Sequence, residues 1–104
     1  MESGIESFVY SEKQAVDLFN LIHKQRSWKE VSAVLAQMDL SNPEGPRRAI
    51  IGLAAASVMR GGYEDKIAAM IFDCFKIPFW DNGKAGFQMA ALQATIEVAG
   101  MVPF

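Results

Sequence analysis

Ala49 to Met59 is a run of eleven positions with no charge and a single hydroxyl, that of Ser57. A helix built from it has almost no face that prefers water, so it is expected in the middle of the fold, with the other elements wrapped around it. Its flanks carry helix punctuation. Asn42-Pro43 supplies a cap residue and a proline whose missing N–H costs nothing in a first turn, and Pro46 leaves the start open between Pro43 and Pro46. Gly61-Gly62 can take the left-handed conformation that stops a helix. Gly52 and Ala56 are four residues apart and leave one side nearly flat, which predicts close approach by neighbouring helices.

The remaining segments read as helices around this rod. Residues 1–10 contain Phe8-Val9-Tyr10, a short β-prone string that never develops alternation, and are expected to be a truncated lead-in outside the domain. Ser11 with Gln14 forms a capping box, and Ala15, Leu18, Phe19 and Ile22 share one face, predicting a first helix from about Glu12 to Lys24. Ser27 with Glu30 is a second box before Trp28, Val31, Val34, Leu35 and Met38, predicting a helix from about Trp28 to Gln37. Residues 63–76 place Glu64 and Asp65 in a first turn and Lys76 at the end, matching the helix dipole, with Ile67, Met70, Ile71, Cys74 and Phe75 inward. The link at 77–83 is turn-forming and offers Asp81 or Asn82 as a cap for a last helix from about Gly83 to Val98. No strand pairing is signalled. The expectation is all-α, a five-helix bundle occupying 11–104 as one domain.

A chain of 104 residues with formal charge −2 is too near neutrality for bulk nucleic-acid binding, which draws its affinity from a clearly basic face. Cys74 is the only cysteine and can form no internal disulfide, which fits a reducing, cytoplasmic setting. MESGIESF lacks the basic start and apolar core of a signal peptide. Ala49–Met59 is shorter than the roughly 18–20 residues that span a bilayer, so no membrane association is expected.

Few residues suggest chemistry. Gly83-Lys84-Ala85-Gly86 opens a helix as a phosphate loop does, but such a loop needs glycine at position 78 and a hydroxyl at 85, where Pro78 and Ala85 stand. Capping and close packing are the expected roles. His23, the only histidine, has no partner with which to build a metal site and suits the end of the first helix for dipole reasons. Cys74 reads as a small buried hydrophobe. Lys24, Arg26, Arg47 and Arg48 are expected to be solvated charges, the rival reading being a weak nucleic-acid-binding corner. The last helix is the exception. Phe87, Ala90, Ala91, Ala94 and Val98 form one apolar stripe, suited to packing on the central helix. Met89, Leu92, Ile96 and Ala99 form a second, which needs a cover from either the fourth helix or a partner.

The segments 18–62, 68–75 and 80–100 together resemble the C-terminal collar domain of clamp-loader ATPases, the family of DNA polymerase III delta-prime and gamma/tau and of replication factor C small subunits. The resemblance rests on a short helix ending in a basic turn before Trp28, an Asn-Pro-Glu loop at Asn42, a long apolar helix from Arg47, and a final helix entered through Asp81-Asn82-Gly83 and carrying Gln88. It implies a five-helix collar that holds subunits together in a ring. ATP and magnesium binding, and contact with DNA and the sliding clamp, would belong to AAA+ domains absent from this stretch. No Walker A, Walker B or Ser-Arg-Cys motif is present, so the resemblance transfers no catalytic or cofactor residue and implies no enzymatic activity for this segment. Under it, Met89, Leu92 and Ile96 become a subunit interface, with other loader subunits or further copies as partners. The alternative is a free-standing helical adaptor that binds a peptide or helix beside the last helix.

Overall fold

Five α-helices and no strand make up the described residues of a computed structural model, namely 2–61, 65–79 and 82–101, with side chains from Lys13 onward. They are α1 (Glu2–His23), α2 (Trp28–Gln37), α3 (Glu44–Gly61), α4 (Lys66–Phe75) and α5 (Gly83–Ala99). The all-α five-helix architecture is therefore as expected, and the bounds of α2 to α5 lie close to those read from caps and periodicity.

The first helix differs. It begins at Glu2 instead of about Glu12, so α1 takes in residues 2–10. No proline interrupts this stretch, so the helical hydrogen-bond ladder runs through Ser11, which has no helix start to cap. Gln14 is instead buried, and its Nε2 donates to the Gln37 carbonyl at the end of α2 over 3.1 Å. The other end of α1 closes with Gln25 in the left-handed region at φ 58°. Its N–H donates to Ile22 O, and the N–H of Arg26 donates to Leu21 O, the bond pair that ends helices at such a residue. Glycine usually fills that position. Gln25 offsets the strain by donating from Nε2 to the carbonyls of Val98 (2.9 Å) and Met101 (3.2 Å), which caps the end of α5 from the α1–α2 turn.

The hub of the fold is α1, the helix that packs against each of the other four. Ala15, Leu18, Phe19 and Ile22 fill its inner face. The apolar run in α3, expected at the centre, lies on one side instead, packed mainly on α1 and α4. Its inner face is Ile50, Ala54 and Ser57, while Gly52, Ala55, Ala56 and Met59 are exposed. A Cβ added at Gly52 would meet nothing within 4 Å, so the flat side receives no neighbouring helix. The reason is size. Burial stabilises in proportion to apolar area, and a face of glycine and alanine has little to gain from it compared with the face that carries Ile50.

The α2 start is fixed by the predicted box: Glu30 N–H donates to Ser27 Oγ, and Ser27 N–H donates to Glu30 Oε2. α4 buries Ala68, Ile71 and Phe75, with Ile67, Met70 and Cys74 half-buried against the core. α5 buries the first predicted stripe, Phe87, Ala90, Ala91, Ala94 and Val98, together with Thr95, whose hydroxyl donates to Ala91 O over 2.8 Å. That stripe packs on α4, α2 and α1, where α3 was the expected partner. Phe87 meets Phe75 and Phe79 edge-on, at centroid distances of 5.2 and 5.9 Å, and so ties the α4–α5 link to the core.

Candidate functional site

Because α5 gives one side to α4, α2 and α1, its opposite side carries the second stripe. Met89 is 61% exposed and Ile96 62%, with Leu92 half-buried between them. The three residues recur at three- and four-residue spacing and so form a single ridge along the helix. α4 does not cover the outer two. Between the ridge and the end of α4 lies an open cavity of about 320 Å³ lined in part by Cys74, Phe79, Asn82, Gly86, Met89 and Gln93. Burial, followed by the charges of Asp73 and Glu97, raises the Cys74 thiol above its usual value, which suits an inert wall residue and not a nucleophile.

The phosphate-loop-like segment forms the first turn of α5. A Cβ at Gly86 would overlap the Asn82 side chain as it stands, an exposed side chain that could turn aside. Gly83 has φ +46°, and Asn82 stands at the cap position without a side-chain cap hydrogen bond; the alternative cap, Asp81, lies outside the described residues. Gly62 and Glu64, the expected helix stop and first-turn acid, also lie outside them.

Two polar clusters escaped sequence reasoning. Asp65 is the N-cap of α4 and not a first-turn residue; it accepts from Ala68 N–H at 3.0 Å. The same carboxylate accepts from Ser57 Oγ of α3 and from His23 Nε2 of α1, the latter at 3.1 Å to both oxygens. A carboxylate can only accept, so Nε2 carries the proton. The His23 ring stacks on Phe19 at 5.3 Å. Ser, His and Asp meet here, yet Asp65 stands in the middle and the Ser57 proton points at the carboxylate. A nucleophilic triad needs the imidazole between the other two, so this node ties α1, α3 and α4 together and activates nothing. Burial pushes the Asp65 carboxyl up, but the donors from Ser57, Ala68 and His23 outweigh it and leave it below the usual range.

The second cluster corrects the reading of Arg47 as a solvated charge. Arg47 is 7% exposed and grips Glu44 in a fork, Nε to Oε2 at 2.7 Å and Nη2 to Oε1 at 2.9 Å. Its Nη1 donates to the carbonyls of Phe75 and Lys76 at the end of α4. The Arg47 hydrogen bonds, then the N–H of Phe79 and the charges of Arg47 and Arg48, hold the Glu44 carboxyl low against a smaller opposing effect of burial. Arg26 pairs with Glu30 at the surface, and Lys24 and Arg48 are exposed, so of the four cations Arg47 alone is buried. An Arg-to-acid spacing of three residues was visible at Glu44 and Arg47, but nothing in it announced the carbonyls of α4.

Among the described residues no three or more His, Cys, Asp or Glu side chains gather as a metal site, and no helix is long and apolar enough to cross a membrane. No known protein family, curated protein or solved structure matches the chain.

Proposed function

We propose that this chain is an association module that joins protein subunits through the outer face of α5. The carrying observation is the ridge of Met89, Leu92 and Ile96, apolar, largely exposed and backed by a helix whose other side is fully buried. Large apolar side chains aligned on one exposed helix face lose contact with water only when a partner arrives. The resemblance to clamp-loader collars gives the reading its specific form: a cytoplasmic ring of loader subunits serving DNA replication, with ATP, magnesium, DNA and the sliding clamp handled by AAA+ domains outside this segment. The five-helix architecture agrees with that form.

Ile96→Asp tests it. At an exposed site the change leaves the melting of the chain within about 0.5 kcal/mol of wild type. In the assembly the same carboxylate is desolvated without a partner, and subunit association followed by sedimentation velocity weakens strongly. Unchanged association of the protein containing this chain with its subunits would refute the reading. The cavity beside Met89 favours a second reading, an adaptor that takes one apolar anchor side chain of a peptide between α4 and α5; it predicts that Met89→Asp abolishes peptide capture while subunit association is unaffected.

A further inference from the structure

The other exposed apolar feature is concave. α3 and α4 run antiparallel: Arg47, in the first turns of α3, reaches the carbonyls that end α4, and Ser57, near the end of α3, reaches the cap of α4. On their outer side lies a groove of about 320 Å³ lined by Ala54, Ala55, Val58, Met59, Ala69 and Phe72. Three of the six are alanines, small enough for another helix backbone to come close, and the larger Met59 (84% exposed) and Phe72 (37% exposed) stand among them. Methionine is flexible and polarizable and adapts to the side chains of a partner. A groove of this shape is the complement of a helix ridge with large residues at three- and four-residue spacing.

Charge favours one occupant. Arg48 stands two turns before Ala55 on the same side of α3, and Lys76, the cap residue just past the end of α4, follows Phe72 by four positions; both are exposed. The end of the groove where α3 begins and α4 ends is therefore basic, offset in part by Asp73, which pairs with Lys76 at 2.7 Å. The α5 ridge has the opposite polarity at its end, with exposed Glu97 beside Ile96 at the negative pole of the helix and Lys84 at the other pole. We infer that the α5 ridge of one copy of this chain seats in the α3–α4 groove of a second copy, with Glu97 directed toward Arg48. The inference rests on the reading of α5 as an association face and adds the surface that receives it. Ridge and groove are different patches, so the contact is head-to-tail and leaves a free groove on one copy and a free ridge on the other, to which further copies can add. Pairing ridge to ridge would leave the groove uncovered.

Sedimentation velocity of the chain alone, across a concentration series, tests the inference with Met59→Asp for the groove and Ile96→Asp for the ridge, both at well exposed positions and each checked by circular dichroism. Wild type is expected to grow in mass with concentration, and each variant to be monomeric. An equimolar mixture of the two is expected to form a dimer, because each variant retains the face that the other lacks. Arg48→Glu is expected to weaken association at least about tenfold, and adding Glu97→Arg to restore it. A monomeric wild type overturns the inference, as does a mixture that stays monomeric. If Ile96→Asp dissociates the oligomer and Met59→Asp does not, the groove is refuted while the α5 face stands. If Ile96→Asp leaves every association unchanged, the reading of α5 falls as well.

Discussion

Arg47 and Arg48 are chemically identical neighbours with opposite fates. The direction of each side chain on α3 decides it, because successive residues on a helix point about 100° apart. Arg47 points inward, where its fork and its Nη1 satisfy the Glu44 carboxylate and the carbonyls of Phe75 and Lys76. Arg48 points outward and is exposed. Removing one partner of a buried ion pair leaves the other charge desolvated and alone, so Arg47→Ala is expected to lower stability by about 3–5 kcal/mol. Arg48→Ala should stay within about 0.5 kcal/mol. Urea denaturation of the two variants checks this. Equal losses would mean that Arg47 is as solvated as its neighbour.

At the scale of the helix, α3 holds the largest difference between pattern and structure. Its run of uncharged residues marked a helix correctly, but absence of charge was a poor guide to depth, since the face with Gly52, Ala55 and Ala56 remains in water. Gly52 has an ordinary helical backbone and open space where a side chain would stand. Gly52→Ala is therefore expected to stabilise the chain by about 0.5–1 kcal/mol, through helix propensity and a less disordered unfolded state. A thermal melt that shows a loss instead would restore the close helix approach that the spacing of Gly52 and Ala56 suggested. Elsewhere local rules sufficed. The box at Ser27 and Glu30 and the α5 stripes follow from interactions three and four residues apart, which a sequence displays directly. The start of α1 failed because a capping box marks where a helix can begin without requiring that it does; Gln14 instead turns inward, and its Nε2 donates to Gln37 O. The Asp65 node and the α3–α4 groove were illegible for a different reason: each joins residues on separate helices, and no periodicity within one helix encodes which faces will meet.

Across the whole molecule, two carboxylates hold the antiparallel α3–α4 pair at its opposite ends. Asp65 joins Ser57, His23 and the first turn of α4, and Glu44 joins Arg47 and the N–H of Phe79. Both have pKa values lowered in the folded state, so both stabilise it only while ionised. In the unfolded chain an aspartate and a glutamate titrate near about 3.9 and 4.3. Above these values the folded and unfolded states are both deprotonated and the contribution is fully present. As pH falls below them the unfolded chain takes up protons first, and the contribution is lost through the lowered folded values. The urea midpoint is therefore expected to hold steady for these groups from about pH 7 to pH 5 and to fall below about pH 4. Asp65→Asn separates this from general acid repulsion. It keeps the shape of the side chain and removes the charge, and hydrogen bonds to a charged group contribute about 1.5–3 kcal/mol. The variant should be less stable than wild type by an amount in that range at neutral pH. The difference should shrink as pH falls below the unfolded value of about 3.9 and through the lowered folded one, where wild-type Asp65 itself becomes neutral. A gap between the two proteins that stays constant from neutral pH to acid would show that Asp65 acts by shape alone, and that the charge at the meeting point of α1, α3 and α4 contributes nothing to holding them together.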